Sequence, residues 1–221
     1  MAEQARLSSQ PSGIIAVDRG HSRYPAAAIT LLGDAAPKRI FALGNLETLS
    51  APLLALFCSS KCPGNLILQT YDLACALREA GVTVIAGFHT PMERECLRLL
   101  LRGKQPVMIC PARGIHKRIP RDWKKPLADG RLLILSPFEE KHRRMTSGLS
   151  AIRNRFVAAL AGRIFIAYAA PGSKTEALAR EIIAWGKPVL TLDSPENANL
   201  IALGSEPVPG GGWGQVEERS P

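Results

Sequence analysis

The sequence predicts an α/β fold: an extended Rossmann-like, doubly wound and mainly parallel sheet with helices on both faces. Three observations carry this expectation. Short apolar runs alternate with amphipathic stretches from residue 53 onward. The runs lack the apolar–polar alternation of half-exposed strands, as expected for strands buried on both faces of a parallel sheet. Three of them end in small-residue turns that open helices. Strand–helix alternation of this kind implies right-handed crossovers between neighbouring parallel strands.

Taken in order, residues 1–20 read as a disordered N-terminus and 21–50 as a small N-terminal appendage. The appendage contains Arg23-Tyr24-Pro25 and Phe41-Ala42-Leu43-Gly44-Asn45-Leu46-Glu47. The Rossmann-like domain is expected over 51–204, with strands at 53–58, 82–86, 107–110, 132–135, 164–167 and 189–192. Between the first two strands, Ile67, Tyr71, Ala74 and Leu77 form a helical stripe ended by Gly81. Thr90-Pro91-Met92-Glu93 supplies an N-cap, a proline at the first helical position and a capping-box glutamate, with Gly103 as the terminating residue. Leu149, Ile152, Phe156 and Leu160 make a later stripe; Leu178, Ile182 and Trp185 make another, closed by Gly186. Residues 111–128 and 136–146 read as long basic loops, and 205–221, rich in Pro and Gly, as a flexible tail.

Composition narrows the function. A chain of 221 residues can bury a substantial core as one domain. No run of about 18 apolar residues occurs, so no membrane span is expected. Met1-Ala2-Glu3-Gln4-Ala5-Arg6 lacks the character of a secretory signal, which predicts a cytoplasmic protein. The five cysteines are odd in number and contain no Cys-x-x-Cys pair, and the four histidines lack zinc-type spacing with them. Neither a disulfide framework, a metal nor a cofactor is expected. Net charge is +9, and its distribution matters more than its size. Between Arg113 and Arg155 twelve Lys/Arg face four acids, an excess of +8 in one segment. Such a concentration suits a polyanionic partner, whereas an evenly spread excess would suit a solvated surface.

The turns supply the candidate chemistry. Ser59-Ser60-Lys61 places two hydroxyls and an ammonium beside a helix start, where free N–H groups and the positive dipole end favour phosphate. Gly87 and His89 occupy the second turn. Pro171-Gly172-Ser173-Lys174-Thr175-Glu176 forms the third. There Ser173 and Glu176 are spaced as a capping box, which accounts for both without a ligand. Gly-Ser-Lys-Thr superficially resembles a P-loop, but the spacing of that motif is absent, which excludes its ATPase chemistry. Arg153-Asn154-Arg155 lies in a helix beside an apolar stripe, a place from which a guanidinium can grip phosphate. No Ser/His/Asp order, metal cluster or carboxylate pair announces an enzyme.

Together these motifs resemble the DNA-processing protein A (DprA/Smf) family in its Rossmann-like domain. The resemblance runs over about residues 22–193 and rests on six motifs in order. They are Tyr24-Pro25, Gly44-Asn45-Leu46-Glu47, Ser59-Ser60-Lys61, Ala86-Gly87-Phe88-His89, Arg153-Asn154-Arg155 and Pro171-Gly172-Ser173. It departs from the family pattern at Ser59, where the family has glycine, and at Lys61, where it has arginine. It departs again at Thr90-Pro91-Met92-Glu93, in place of Arg-Gly-Ile-Asp. The family's C-terminal winged helix is not expected within these residues.

The resemblance implies binding of single-stranded DNA without catalysis, as a homodimer. It also implies delivery of that DNA to a RecA-type recombinase in transformation and recombination. The implied phosphate-binding residues are Ser59, Ser60, Lys61, Gly87, His89, Arg153, Asn154, Arg155, Gly172, Ser173 and Lys174. Removing Lys61, Arg153 and Arg155 together is expected to abolish binding. Two further readings stand beside it. The third turn also looks like the Pro-Gly-Gly-x-Gly-Thr-x-x-Glu motif of the Lonely Guy nucleotide phosphoribohydrolases, without its second and third glycines. A nucleotide would then be the ligand, of an enzyme or of a sensor. The other reading is a structural or partner-binding module, against which the basic segment weighs.

Overall fold

The computed structural model describes residues 7–9, 13–116 and 118–209. Among the described residues ten strands form one sheet in the order β1-β2-β3-β7-β6-β5-β4-β8-β9-β10. Seven of them are parallel: β4 (Leu53–Cys58), β5 (Thr83–Ala86), β6 (Val107–Ile109), β7 (Leu132–Ser136), β8 (Arg163–Tyr168), β9 (Val189–Leu192) and β10 (Glu206–Val208). The remaining three, β1 (Leu7–Ser9), β2 (Ile15–Asp18) and β3 (Arg39–Gly44), run antiparallel and join the sheet through β3 against β7.

The two halves of each strand's pleat feed two cores. Leu54, Leu56 and Cys58 of β4 pack with α2 (Gly64–Glu79), α3 (Pro91–Leu100) and α4 (Arg121–Ala128). Leu53, Ala55 and Phe57 pack on the other face with α1 (Ala26–Leu32), α5 (Ser147–Leu160), α6 (Lys174–Ala184) and α7 (Ala198–Ala202). Each side chain points opposite to its neighbour, so an apolar run with no alternation is what two covered faces require. Phe156 and Phe165 are fully buried; removing such a ring from water contributes about 2–3 kcal/mol.

The six expected strands all form, within a residue or so at each end. Other expectations are corrected. Residues 21–50 are not a separate appendage, because β3 exchanges ladder hydrogen bonds with β7 and extends the main sheet. Gly44 makes that approach possible: a Cβ there would lie 2.3 Å from the Leu132 carbonyl oxygen. Residues 1–20 are not uniformly irregular, since β1 and β2 fall within them; positions 1–6 and 10–12 lie outside the described residues. In the tail, Glu206–Val208 is a strand beside β9, and 210–221 lie outside the described residues. The 111–128 connection is not all loop, because α4 forms within it behind Pro120.

Two helical faces differ from the expected stripes. In α2 the buried positions are Leu66, Thr70, Leu73, Ala74 and Leu77, and Ile67 is exposed. In α5 Ile152 is 47% exposed, and Arg153 takes the inward position with Phe156 and Val157. Gly103 does not terminate α3 in a left-handed conformation; a Cβ there would collide with the side chains of Gln105 and Arg78. No helix among the described residues is long and apolar enough to cross a membrane.

Candidate phosphate site

Going outward from β4, the strand order runs β5, β6, β7 on one side and β8, β9, β10 on the other. The order therefore reverses between β4 and β8. At such a switch point the two following connections diverge to opposite faces and leave a crevice at the carboxyl ends of the strands, where ligands of open α/β sheets bind. A β-bulge sharpens the divergence, since β8 inserts Ala167 between the residues opposite Phe57 and Cys58.

Ser59 ties the two diverging turns together. Its N–H donates to the Tyr168 carbonyl at 2.8 Å, and its hydroxyl accepts from the Ala170 N–H at 3.2 Å. Ser60 and Lys61 follow on the exposed rim. After β5 the chain turns sharply at Phe88, whose φ is 48°, a left-handed value that costs a bulky residue energy. The α3 capping box then forms as its sequence dictates. Glu93 N–H donates to Thr90 Oγ1 at 3.3 Å, and Glu93 Oε2 accepts from the N–H of His89 at 2.8 Å and of Thr90 at 3.4 Å.

Glu93 does more than cap. Its Oε1 accepts from the Cys58 N–H at 3.2 Å, so one buried carboxylate clamps the β4 end to the β5 turn. Burial pushes the Glu93 carboxyl up from its ordinary range, against the opposing pull of the Arg153 cation and the three backbone donors.

Arg153 completes the floor. It is only 4% exposed. Its Nη1 donates to the Cys110 carbonyl at 2.8 Å, and its Nε has no protein partner. The guanidinium lies where the side chain of residue 87 would be: a Cβ on Gly87 would sit 1.2 Å from Nη1. Glycine at 87 is thus required by close packing of a cation rather than by backbone freedom.

The third turn is held from within. Ser173 caps α6, accepting from the Glu176 N–H at 3.2 Å. Glu176 accepts from the Gly172 N–H at 2.8 Å and from Asn199 Nδ2 at 2.6 Å, which holds its carboxyl below the usual range. The capping-box reading is therefore half right, since the carboxylate reaches the N–H one residue before the N-cap. Lys174 Nζ donates to Ser147 Oγ, linking α6 to α5.

These parts enclose a cavity of about 480 Å³. Of the expected site residues, Ser59, Ser60, Lys61, His89, Arg153, Asn154, Ser173 and Lys174 line it. Gly87 stands behind, seating Arg153, and the Gly172 N–H is spent on Glu176. Arg155 is not brought in. It points across to α6 and pairs with Glu181 at 2.6 Å, because two residues along a helix face nearly opposite directions. Glu93, Thr90, Thr175 and Ser150 also line the cavity. The sequence marked Thr90 and Glu93 as caps, but nothing in it indicated that the glutamate reaches Cys58, 35 positions away. His89 is driven toward its neutral form, first by desolvation and then by Arg153, Arg94 and Arg113. Among the described residues no group of three His, Cys, Asp or Glu is arranged to hold a metal ion. A buried arginine, two lysines and several hydroxyls around one concavity are suited to hold an anion with more than one charged oxygen.

Known proteins of the same shape are recognisable. The chain superposes on DNA processing protein A from Streptococcus pneumoniae with a TM-score of 0.78 and 18% identity, over 93% of this chain and 74% of that one. The corresponding values for DNA processing protein A from Helicobacter pylori, described for its single-stranded DNA binding mode, are 0.64 and 21%, over 87% and 83%. A molybdenum cofactor binding protein from Rippkaea orientalis shares the fold more distantly, with a TM-score of 0.55 and 10% identity over 76% and 95%. No curated protein matches the sequence itself. The family model described as DNA recombination-mediator protein A matches residues 16–205. The match takes in β3, most of β2 and the switch-point cavity, and the chain belongs to the DNA recombination-mediator protein A family.

Proposed function

We propose that this protein binds single-stranded DNA without turning it over, holding backbone phosphates in the cavity between the β4 and β8 turns. The observation that carries the proposal is Arg153: a buried, rigidly seated cation with a spare N–H, lining a cavity walled by Lys61, Lys174 and hydroxyls. Burying a cation without a full set of partners is costly; Glu93 offsets part of that charge, and a bound phosphate would complete it. Family membership and the single-stranded DNA binding described for the Helicobacter pylori relative favour DNA as that anion. Of the basic segment 113–155, Arg153 lines this cavity and Arg113 acts on His89 at its edge, whereas Arg118 and Lys124 line a separate one. A cytoplasmic location, a homodimer and delivery of the strand to a RecA-type recombinase go with this reading.

The test is fluorescence anisotropy of a labelled strand of about 30 nucleotides, against its duplex, over a salt series. Preferential single-strand binding that weakens steeply with salt, and is lost in Lys61→Ala/Arg153→Ala, supports the proposal. Equal affinity in that double variant removes the cavity from it.

One observation favours a second reading: the cavity has the volume of a site for a single nucleotide. A sensor of such a ligand would melt at higher temperature with AMP-like compounds present. The phosphoribohydrolase version gains nothing here, because Glu176 spends its carboxylate on Gly172 and Asn199.

A further inference from the structure

A second cavity, of about 650 Å³, opens on the other side of His89, which lines both. One wall is α3 with the turn that ends it. Arg94, Arg98 and Arg102 are spaced four residues apart, so they stack on one face, and all three are exposed along this cavity. At 1.5 Å of rise per residue the steps are about 6 Å, comparable to the separation of neighbouring phosphates along one extended strand. Arg113 stands near the His89 end, and Trp123 and Met145 add apolar surface to the lining.

An ordinary solvated helix face would balance these charges with acids. Here Arg98 alone of the three has a carboxylate partner, Glu95 at 2.9 Å, in a pair whose arginine is 73% exposed. Among the described residues neither Arg94 nor Arg102 makes an ion pair, and Asp122 is the one acid lining the cavity. Meanwhile Arg94, Arg113 and Arg153 all bear on His89, so three cations converge at a junction where Glu93 is the acid at hand.

We propose that the strand leaves the first cavity past His89 and runs along α3, with successive phosphates on Arg94, Arg98 and Arg102. This path rests on the single-stranded DNA reading.

The experiment compares labelled oligothymidylates of about 4 and about 20 nucleotides on the full chain. One phosphate contact on a single strand contributes about 0.7 to the logarithmic salt slope. Arg94→Gln/Arg98→Gln/Arg102→Gln should therefore lower the slope for the long strand by about 2 and its affinity by roughly 10–100-fold at 0.1 M salt. The short strand, held in the first cavity, should bind as before. Arg94→Lys/Arg98→Lys/Arg102→Lys should restore most of the slope. Melting temperature reports that the exposed substitutions leave the fold intact. Long-strand affinity and slope unchanged in the Gln variant overturn the path while the first cavity stands. Failure of the unsubstituted protein to bind either strand overturns the underlying reading and the path with it.

Discussion

A single methyl group at residue 87 tests how the site is built. In Gly87→Ala the new Cβ would stand 1.2 Å from Arg153 Nη1, 2.0 Å from Cζ and 2.4 Å from Nη2. The guanidinium must retreat by about 2 Å to reach ordinary contact. It is hemmed in by a buried site and tied to the Cys110 carbonyl at 2.8 Å, so retreat breaks that hydrogen bond. A hydrogen bond to a charged group contributes about 1.5–3 kcal/mol, and the Cys110 carbonyl is left buried without it. The expected loss is therefore about 2–3 kcal/mol. For a chain of this size that lowers the melting temperature by about 5–10 °C. Strand affinity should fall together with stability, because the cavity floor moves. The control is the same substitution in an Arg153→Ala background. With no guanidinium to meet, the added methyl should cost less than about 0.5 kcal/mol there, and the cycle isolates the contact. An alanine tolerated at 87 with full stability, or one equally costly in both backgrounds, would refute the packing argument.

Three further outcomes follow from the same geometry. Glu93→Ala leaves the N–H groups of Cys58, His89 and Thr90 without their acceptor and should destabilise by about 3 kcal/mol in urea unfolding. Because the folded Glu93 carboxyl is raised, it contributes stability at low pH that is lost as pH rises from the ordinary carboxylate range through its raised value; that slope should disappear in the variant. Arg155→Ala removes only an exposed pair with Glu181, so stability should change by less than about 1 kcal/mol and strand affinity by less than about threefold. His89 is held below its ordinary value in the free protein, and a bound phosphate would favour its protonation. Affinity should accordingly rise as pH falls from about 8 toward and below the usual histidine range, and His89→Gln should flatten that dependence in an anisotropy titration.

The sequence alone determined the strand set of the parallel core, the α3 capping box and the residue types of the three turns. Each of these follows from local chemistry: apolar runs bounded by Gly and Pro, or a Thr-Pro-x-Glu cap whose geometry is complete within four residues. It also placed most of the cavity wall, because residues that follow parallel strands all emerge at one edge of a sheet.

Tertiary structure decided the rest. Periodicity assigned Ile152 inward, yet Arg153 occupies that direction. A guanidinium can be buried only where a carbonyl and a missing side chain, from Cys110 and Gly87, receive it, and those lie 43 and 66 positions away. Arg155 looked equivalent to Arg153 in sequence and was separated from it by a half-turn of helix. Residues 21–50 read as an appendage because antiparallel pairing of β3 with β7 joins segments about 90 positions apart, and no local pattern records that register. The clamp by Glu93 and the arginine ladder beside the cavity depend likewise on which helix is laid against which strand end. Local residues set what a turn can bind; the strand order sets which turns meet.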